Sequence, residues 1–397
     1  MTSKPPFGGE VIGDIAVGNL GKTQSGGTPS SKHSEYFGGD IPWIGTTALN
    51  GGVLDESNAV KFITEDAVEH SATKIVPAGS IMVGVRVGVG KVAVNSVPMC
   101  TSQDIVSIIG VDEQLWNKEY ISYAIQYKAP LLAAQAQGAT ITGITSKALK
   151  AITIPVREKS RQDQIVWTLN YLKELLLLSE QRLAKLDELV KSRFVEMFKA
   201  FQLGSCTMSD LLSDIVSGTN VGGSQRPLED GEYGVLKISA VTQGIFKPRE
   251  YKVVNDVSGI KMVHPRKGDL LFSRANTQEM VGATAIVDDD YDRLFLPDKL
   301  WRLDLRDGVN TSFAKYLLSS PEVRAEMSKS STGTSGSMKN ISMAKFRRVP
   351  AFLPPLVLQR EFADFAARVD KLRVEAQVQK EKLQMLYDSL VQDYFAI

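Results

Sequence analysis

Two stretches of the chain contain neither glycine nor proline and place apolar residues on alternating steps of three and four. In residues 160–200 the stripe is Ile165, Leu169, Leu172, Leu176, Leu183, Leu186 and Val190, with Ser179 in the one skipped place. In residues 358–396 it is Phe362, Phe365, Val369, Leu372, Ala376, Leu383, Leu386 and Leu390, with Gln379 in the skipped place. That period puts one apolar face on a long helix. Forty helical residues run about 60 Å. Two such stripes cannot both stay in water, so they are predicted to pack on each other. The pairing is antiparallel, because a globular stretch between them must lead the chain back. Leu186, Leu189, Leu383 and Leu386 are all expected on the seam. Ser179 and Gln379 either fix its register or are tolerated flaws in it.

The helical stretches are copies. Leu186, Leu189, Ser192 and Phe198 recur as Leu383, Leu386, Ser389 and Phe395, and both 383 − 186 and 395 − 198 give 197. The remaining sequence also repeats. Residues 1–155 and 205–355 are rich in Gly, Thr, Ser and β-branched residues, with short strand-like runs between turn signals. Gly79–Val83 matches Gly268–Phe272, Gly90–Ala93 matches Gly282–Ala285, and Trp43–Val53 matches Val235–Ile245. The fold class is therefore α+β: two β-rich globular domains joined by two long helices in an antiparallel coiled coil, with a pseudo-twofold internal repeat. The expected boundaries are 1–157, 158–202, 203–356 and 357–397.

Composition narrows the class. Hydrophobic residues make up 43% and charged residues 23%, as in ordinary globular proteins. The formal net charge is only +1, so any affinity for nucleic acid has to come from local positive charge. Cys100 and Cys206 share no motif, which argues against a disulfide framework or a cysteine zinc site and fits a reducing compartment. The start, from Met1 to Phe7, has no apolar signal-peptide core, and no apolar run reaches membrane-spanning length. A soluble, cytoplasmic protein is expected.

Catalytic motifs are missing. Gly21-Lys22-Thr23 ends a near match to a phosphate loop, but Ala16 stands where the leading glycine belongs. Gly84–Gly90 lacks the following helix of a dinucleotide loop. Lys4-Pro5-Pro6-Phe7 has the wrong first residue for gripping a flipped adenine, and Glu250-Tyr251-Lys252 with Asp230 lacks the spacing of a metal nuclease. His33, His70 and His264 are scattered. A non-catalytic chain without cofactor or metal is expected.

Taken in order, Gly26-Gly27-Thr28-Pro29-Ser30, Ile41-Pro42-Trp43, the helix entry Leu353-Pro354-Pro355-Leu356 to Gln359 and the duplicated helix ends resemble the specificity subunit of type I restriction-modification enzymes. The resemblance covers essentially the whole chain, and departs from the family at the start, where the first recognition domain begins almost at Met1. It implies two target-recognition domains, each reading one half of a bipartite site on double-stranded DNA. It also implies spacer helices that dock methyltransferase subunits, two of them, and through that complex the restriction-translocase subunits. By this reading the base- or phosphate-contacting candidates are Thr46, Thr47, Arg86, Gln103, Thr142 and Lys147 in the first domain. In the second they are Gln225, Arg226, Lys237, Ser239, Arg274, Asn276, Gln278, Lys299 and Lys339. The ordinary reading of each is a solvated turn residue. Two other functions compete: a protein adaptor holding two ligands at fixed separation, and a stand-alone nuclease or methyltransferase.

Overall fold

The computed structural model describes residues 10–135, 143–242, 244–277, 281–332 and 339–396. It contains two compact units: residues 1–180 with 378–397, and residues 181–377. The division falls inside both long helices, Lys159–Phe198 and Leu356–Phe395.

In the first unit a five-stranded sheet has the order Lys22–Ser25, Ile105–Ile109, Ile81–Gly84, Val92–Asn95, Val53–Leu54. A second sheet has the order Lys61–Ile63, Phe37–Ile44, Met99–Thr101, Ile75–Val76, and its middle pair is parallel. The second unit repeats this plan. Leu212–Ser217, Leu300–Leu305, Leu270–Ser273 and Thr284–Ile286 follow one another as the first four strands do in the first unit. Tyr251–Val254, Tyr233–Leu236 and Leu294–Phe295 form the counterpart of the second sheet, again with one parallel pair. The expected α+β class and internal repeat hold at the level of strand order.

The glycine motif is a packing device. A Cβ on Gly27 would lie 2.3 Å from the Ala72 carbonyl oxygen, and the Gly27 carbonyl accepts the Trp43 indole N–H at 3.0 Å. In the second unit a Cβ on Gly218 would lie 1.8 Å from the Leu296 carbonyl oxygen. Only glycine lets the backbones approach this closely.

Each unit completes its core with the end of a long helix, from distant sequence in the first and from the preceding stretch of chain in the second. In the first, Leu390, Tyr394 and Phe395 join a cluster containing Tyr120, Ile121, Ile165 and Leu169, and the Phe395 ring lies 5.2 Å from Tyr120. Buried Arg157 donates from Nη2 to the Tyr394 carbonyl at 3.2 Å, where a partly buried cation at a helix C-terminus contributes up to about 2 kcal/mol. In the second unit Phe198 takes the place of Phe395, 5.1 Å from Phe313 and 5.7 Å from Phe362.

Within each unit the two helices run antiparallel. Glu180 pairs with Lys380 and Lys173 lies over Tyr387 in the first, while Asp187 pairs with Arg373 and Arg193 with Glu361 in the second. On the first helix Ile165, Leu169, Leu172 and Val190 of the expected stripe are buried and Leu176, Leu183 and Leu186 partly so, whereas Leu189 is 47% exposed. On the second helix two of the eight expected stripe residues give way to the residue after them. Phe362, Val369, Ala376 and Leu390 are buried and Leu383 partly so, but Leu372 and Leu386 are exposed. Ala366, Arg373, Lys380 and Tyr387 face inward instead. Arg373 and Lys380 can do so because Asp187 and Glu180, one from each unit, meet their charges at 2.8 Å. Gln379 is exposed, and the Ser179 hydroxyl bonds back to its own helix at the Leu175 carbonyl, 2.8 Å away.

The register makes an unequal prediction for neighbouring leucines. Leu390→Ala is expected to cost about 2–5 kcal/mol in urea unfolding, while Leu386→Ala costs less than about 0.5 kcal/mol. Equal losses would return Leu386 to the seam.

Candidate nucleic-acid interface

In the first unit the predicted residues fall in three places. Thr46 is buried at the start of a short 3₁₀ turn, Thr46–Ala48, so its side chain belongs to the packing. Thr47 is exposed on the rim of an open cleft of about 560 Å³ that also includes Asn50, Lys91 and Gln126. Sequence reading missed these last three, because nothing local marks a strand-end lysine and a helix glutamine as neighbours. Exposed Gln103 accepts a hydrogen bond at Oε1 from Thr28, which ties it to the glycine motif.

The segment before Lys147 is joined to the chain at Arg86 through the backbone. The Ile144 N–H donates to the Val85 carbonyl at 2.7 Å, setting the segment that leads to Lys147 beside Arg86. Thr145 then caps the Ser146–Ala151 helix by accepting from Ala148 N–H at 3.1 Å, and Lys147 is exposed on that helix. Arg86 is exposed, with Asp104 3.8 Å away. Thr142 lies outside the described residues.

The second unit spends most of its predicted cations on internal carboxylates. Arg226 makes a two-pronged pair with Glu232 at 2.7 and 2.5 Å. The hydrogen bond from Arg226 holds the Glu232 carboxyl far below its ordinary value, at about 2. Lys237 Nζ and the Ser239 hydroxyl both reach Glu250 Oε2, at 2.8 and 2.6 Å. Arg274 is a clamp: Nε donates to the Asp298 carbonyl at 2.9 Å and Nη1 to Asn340 Oδ1 at 3.0 Å, with Asp298 Oδ2 3.4 Å from Nη2. It thereby joins the strand Ala275–Asn276 to its partner Lys339–Asn340. Asn276 accepts Thr277 N–H at 2.8 Å, Lys299 is half-buried and supplies a carbonyl to Arg274 N–H, and Lys339 lies in the paired strand. Gln278 lies outside the described residues.

Gln225 differs from these: it is exposed beside Ser224, which exchanges backbone hydrogen bonds with Val253 at 2.9 Å in both directions. That bridge brings Gln225 next to exposed Lys252, which makes no ion pair among the described residues. The sequence alone presented Lys252 as part of a weak nuclease-like triplet. The structure separates it from Glu250, whose carboxylate is held by Lys237 and Ser239.

These arrangements make two predictions. Arg274→Ala is expected to cost about 1.5–3 kcal/mol in urea unfolding by stripping partners from Asn340 and Asp298, while Lys147→Ala changes stability by less than about 0.5 kcal/mol. The Arg226–Glu232 pair contributes fully above the ordinary carboxylate value of 4.5 and is lost as pH falls toward 2. Carboxyl ¹³C titration should show a midpoint near 2 for Glu232, moving up toward 4.5 in Arg226→Ala; an unmoved midpoint would mean that Arg226 is not its cause.

Among the described residues no helix is long and apolar enough to cross a membrane, and no group of three or more His, Cys, Asp and Glu side chains could hold a metal ion. The family model of the type I restriction modification DNA specificity domain matches residues 12–188. The type I restriction enzyme MjaIX specificity subunit of Methanocaldococcus jannaschii is 31% identical over 186 residues, 46% of this chain and 42% of that protein. The EcoR124I/EcoR124II specificity subunit of Escherichia coli is 36% identical over 155 residues, 38% of each. The chain thus spans less than half the length of the curated relatives it matches. In fold it is similar to the S subunit of a type I restriction-modification system from M. genitalium, with TM-score 0.56, 14% identity and full coverage of both chains. A chain from a type I R-M system studied for complex assembly and conformational transition gives TM-score 0.62 at 15% identity, covering 96% of this chain and 97% of that one. Over residues 12–188 the chain is thus similar to the type I restriction modification DNA specificity domain.

Proposed function

We propose that this chain is the DNA sequence-recognition subunit of a type I restriction-modification system, reading an asymmetric, gapped duplex site with one half per globular domain. The observation that carries this reading is one strand order used twice with unlike polar surfaces. The first unit offers Thr47, Asn50, Lys91 and Gln126 around a cleft, with exposed Arg86 and Lys147 besides, whereas the second offers Gln225 and Lys252. Asn and Gln pair with adenine edges and Arg with guanine, while Lys neutralises phosphate without reading sequence. With a net charge of +1, affinity rests on these few local cations and on partner subunits.

The chain would carry no catalysis of its own and would dock methyltransferase subunits on outward helix faces. Trp167 and Tyr171, stacked at 5.4 Å and largely exposed on the first long helix, are suited to such a contact. The long helices would then set the distance between the half-sites. Of the internally paired residues, Arg226, Lys237, Ser239 and Arg274 would support the reading loops rather than touch bases.

Selection from random duplex pools tests this reading. The expected product is two unlike half-motifs at one constant gap. Lys252→Ala should weaken binding equally across sequences and lower the salt slope by about 1. A pool with no gapped motif favours the protein adaptor instead.

A further inference from the structure

Gln162 and Gln359 are fully buried polar side chains, each within the first turns of a long helix, and 359 − 162 gives the 197-residue repeat. In the first unit Gln162 Oε1 accepts Asn117 N–H at 2.9 Å, while Nε2 donates to the carbonyls of Leu115 at 3.0 Å and Arg157 at 2.8 Å. In the second, Gln359 Oε1 accepts Asn310 N–H at 2.8 Å, while Nε2 donates to Gly308 at 3.0 Å and Pro354 at 2.8 Å. Both asparagines also take the N–H groups of the next helix: Asn117 those of Glu119 and Tyr120, and Asn310 those of Ser312 and Phe313.

The same amide therefore ties three pieces together in each unit: the long helix, the strap that enters it and the capped start of a globular-domain helix. The neighbours are not copied so faithfully. Arg161 and Asp163 beside Gln162 correspond to Leu358 and Arg360 beside Gln359. Burying an amide is costly unless its bonds are made, and here three are made at fixed directions. Apolar packing around it tolerates sliding far better than a three-way hydrogen-bonded junction does.

We infer that Gln162 and Gln359 are positioning residues that fix the angle between each globular domain and the helix that follows it, and thereby how strictly the gap between half-sites is enforced. The inference rests on the gapped-site reading above. It separates gap discrimination from base discrimination: the side chains that meet bases lie elsewhere, so loosening the junction leaves half-site preference in place.

The test uses the full chain and duplexes carrying the selected half-sites at the native gap and at one base pair more or less. Gln162→Leu and Gln359→Leu are expected to reduce the preference for the native gap by about tenfold, with half-site preference retained. Gln162→Glu, which keeps an acceptor for Asn117 N–H and loses both donors, should act in the same direction. A second readout needs no DNA. Spin labels at exposed Lys74 and Leu177, both in the first unit, should give a narrow distance distribution that broadens in Gln162→Glu. Variants with a lower Tm but an unchanged gap preference and unbroadened distances would overturn the inference. A wild-type chain indifferent to the gap would sink the gapped-site reading and this inference together, whereas discriminating variants would sink the inference alone.

Discussion

Both globular halves close their cores with the end of a long helix, and the first must take it from beyond the entire second half. The first needs Phe395 against Tyr120, and the second needs Phe198 against Phe313. These aromatic plugs are worth far more than any surface pair in the molecule, since a buried phenylalanine carries about 3–5 kcal/mol of packing. The antiparallel course of the helices within each unit follows from this requirement, as do the inward cations of the second helix. Arg373 and Lys380 are tolerable only where the other helix brings Asp187 and Glu180. The internal repeat is thus an arrangement in which each copy finishes the other.

Much of this was legible in the chain. The absence of glycine and proline, the three-four spacing and the 197-residue offset located both helices and their antiparallel pairing. What failed was the choice between two overlapping stripes on the second helix. Leu372 and Leu386 look like seam residues because they are apolar, and Arg373 looks like a surface residue because it is charged. The deciding carboxylates lie nearly two hundred residues away, and periodicity within one helix cannot register them.

The candidate site was legible in a different measure. Residue type marks which side chains have the chemistry to meet a base, yet it cannot say whether a guanidinium is already taken. Arg226 finds Glu232 six residues on, and Arg274 finds Asp298 and Asn340 across the sheet. Lys252 was overlooked for the opposite reason: it stands beside Gln225 only because Ser224 bridges to Val253. The buried glutamines carried a visible signal, a polar residue repeated at the helix offset, but their meaning depends on carbonyls that only the folded loops bring together.

The position of Phe395 also has a consequence for biosynthesis. Residues 10–180 leave the ribosome early, but their core stays open where Leu390, Tyr394 and Phe395 belong until the second helix has been made. The second unit faces no such delay, because Phe198 precedes its strands. At roughly 5–20 residues per second, the half translated first therefore waits on the order of ten seconds or more with an apolar surface uncovered, and the half translated second is the first to be finished.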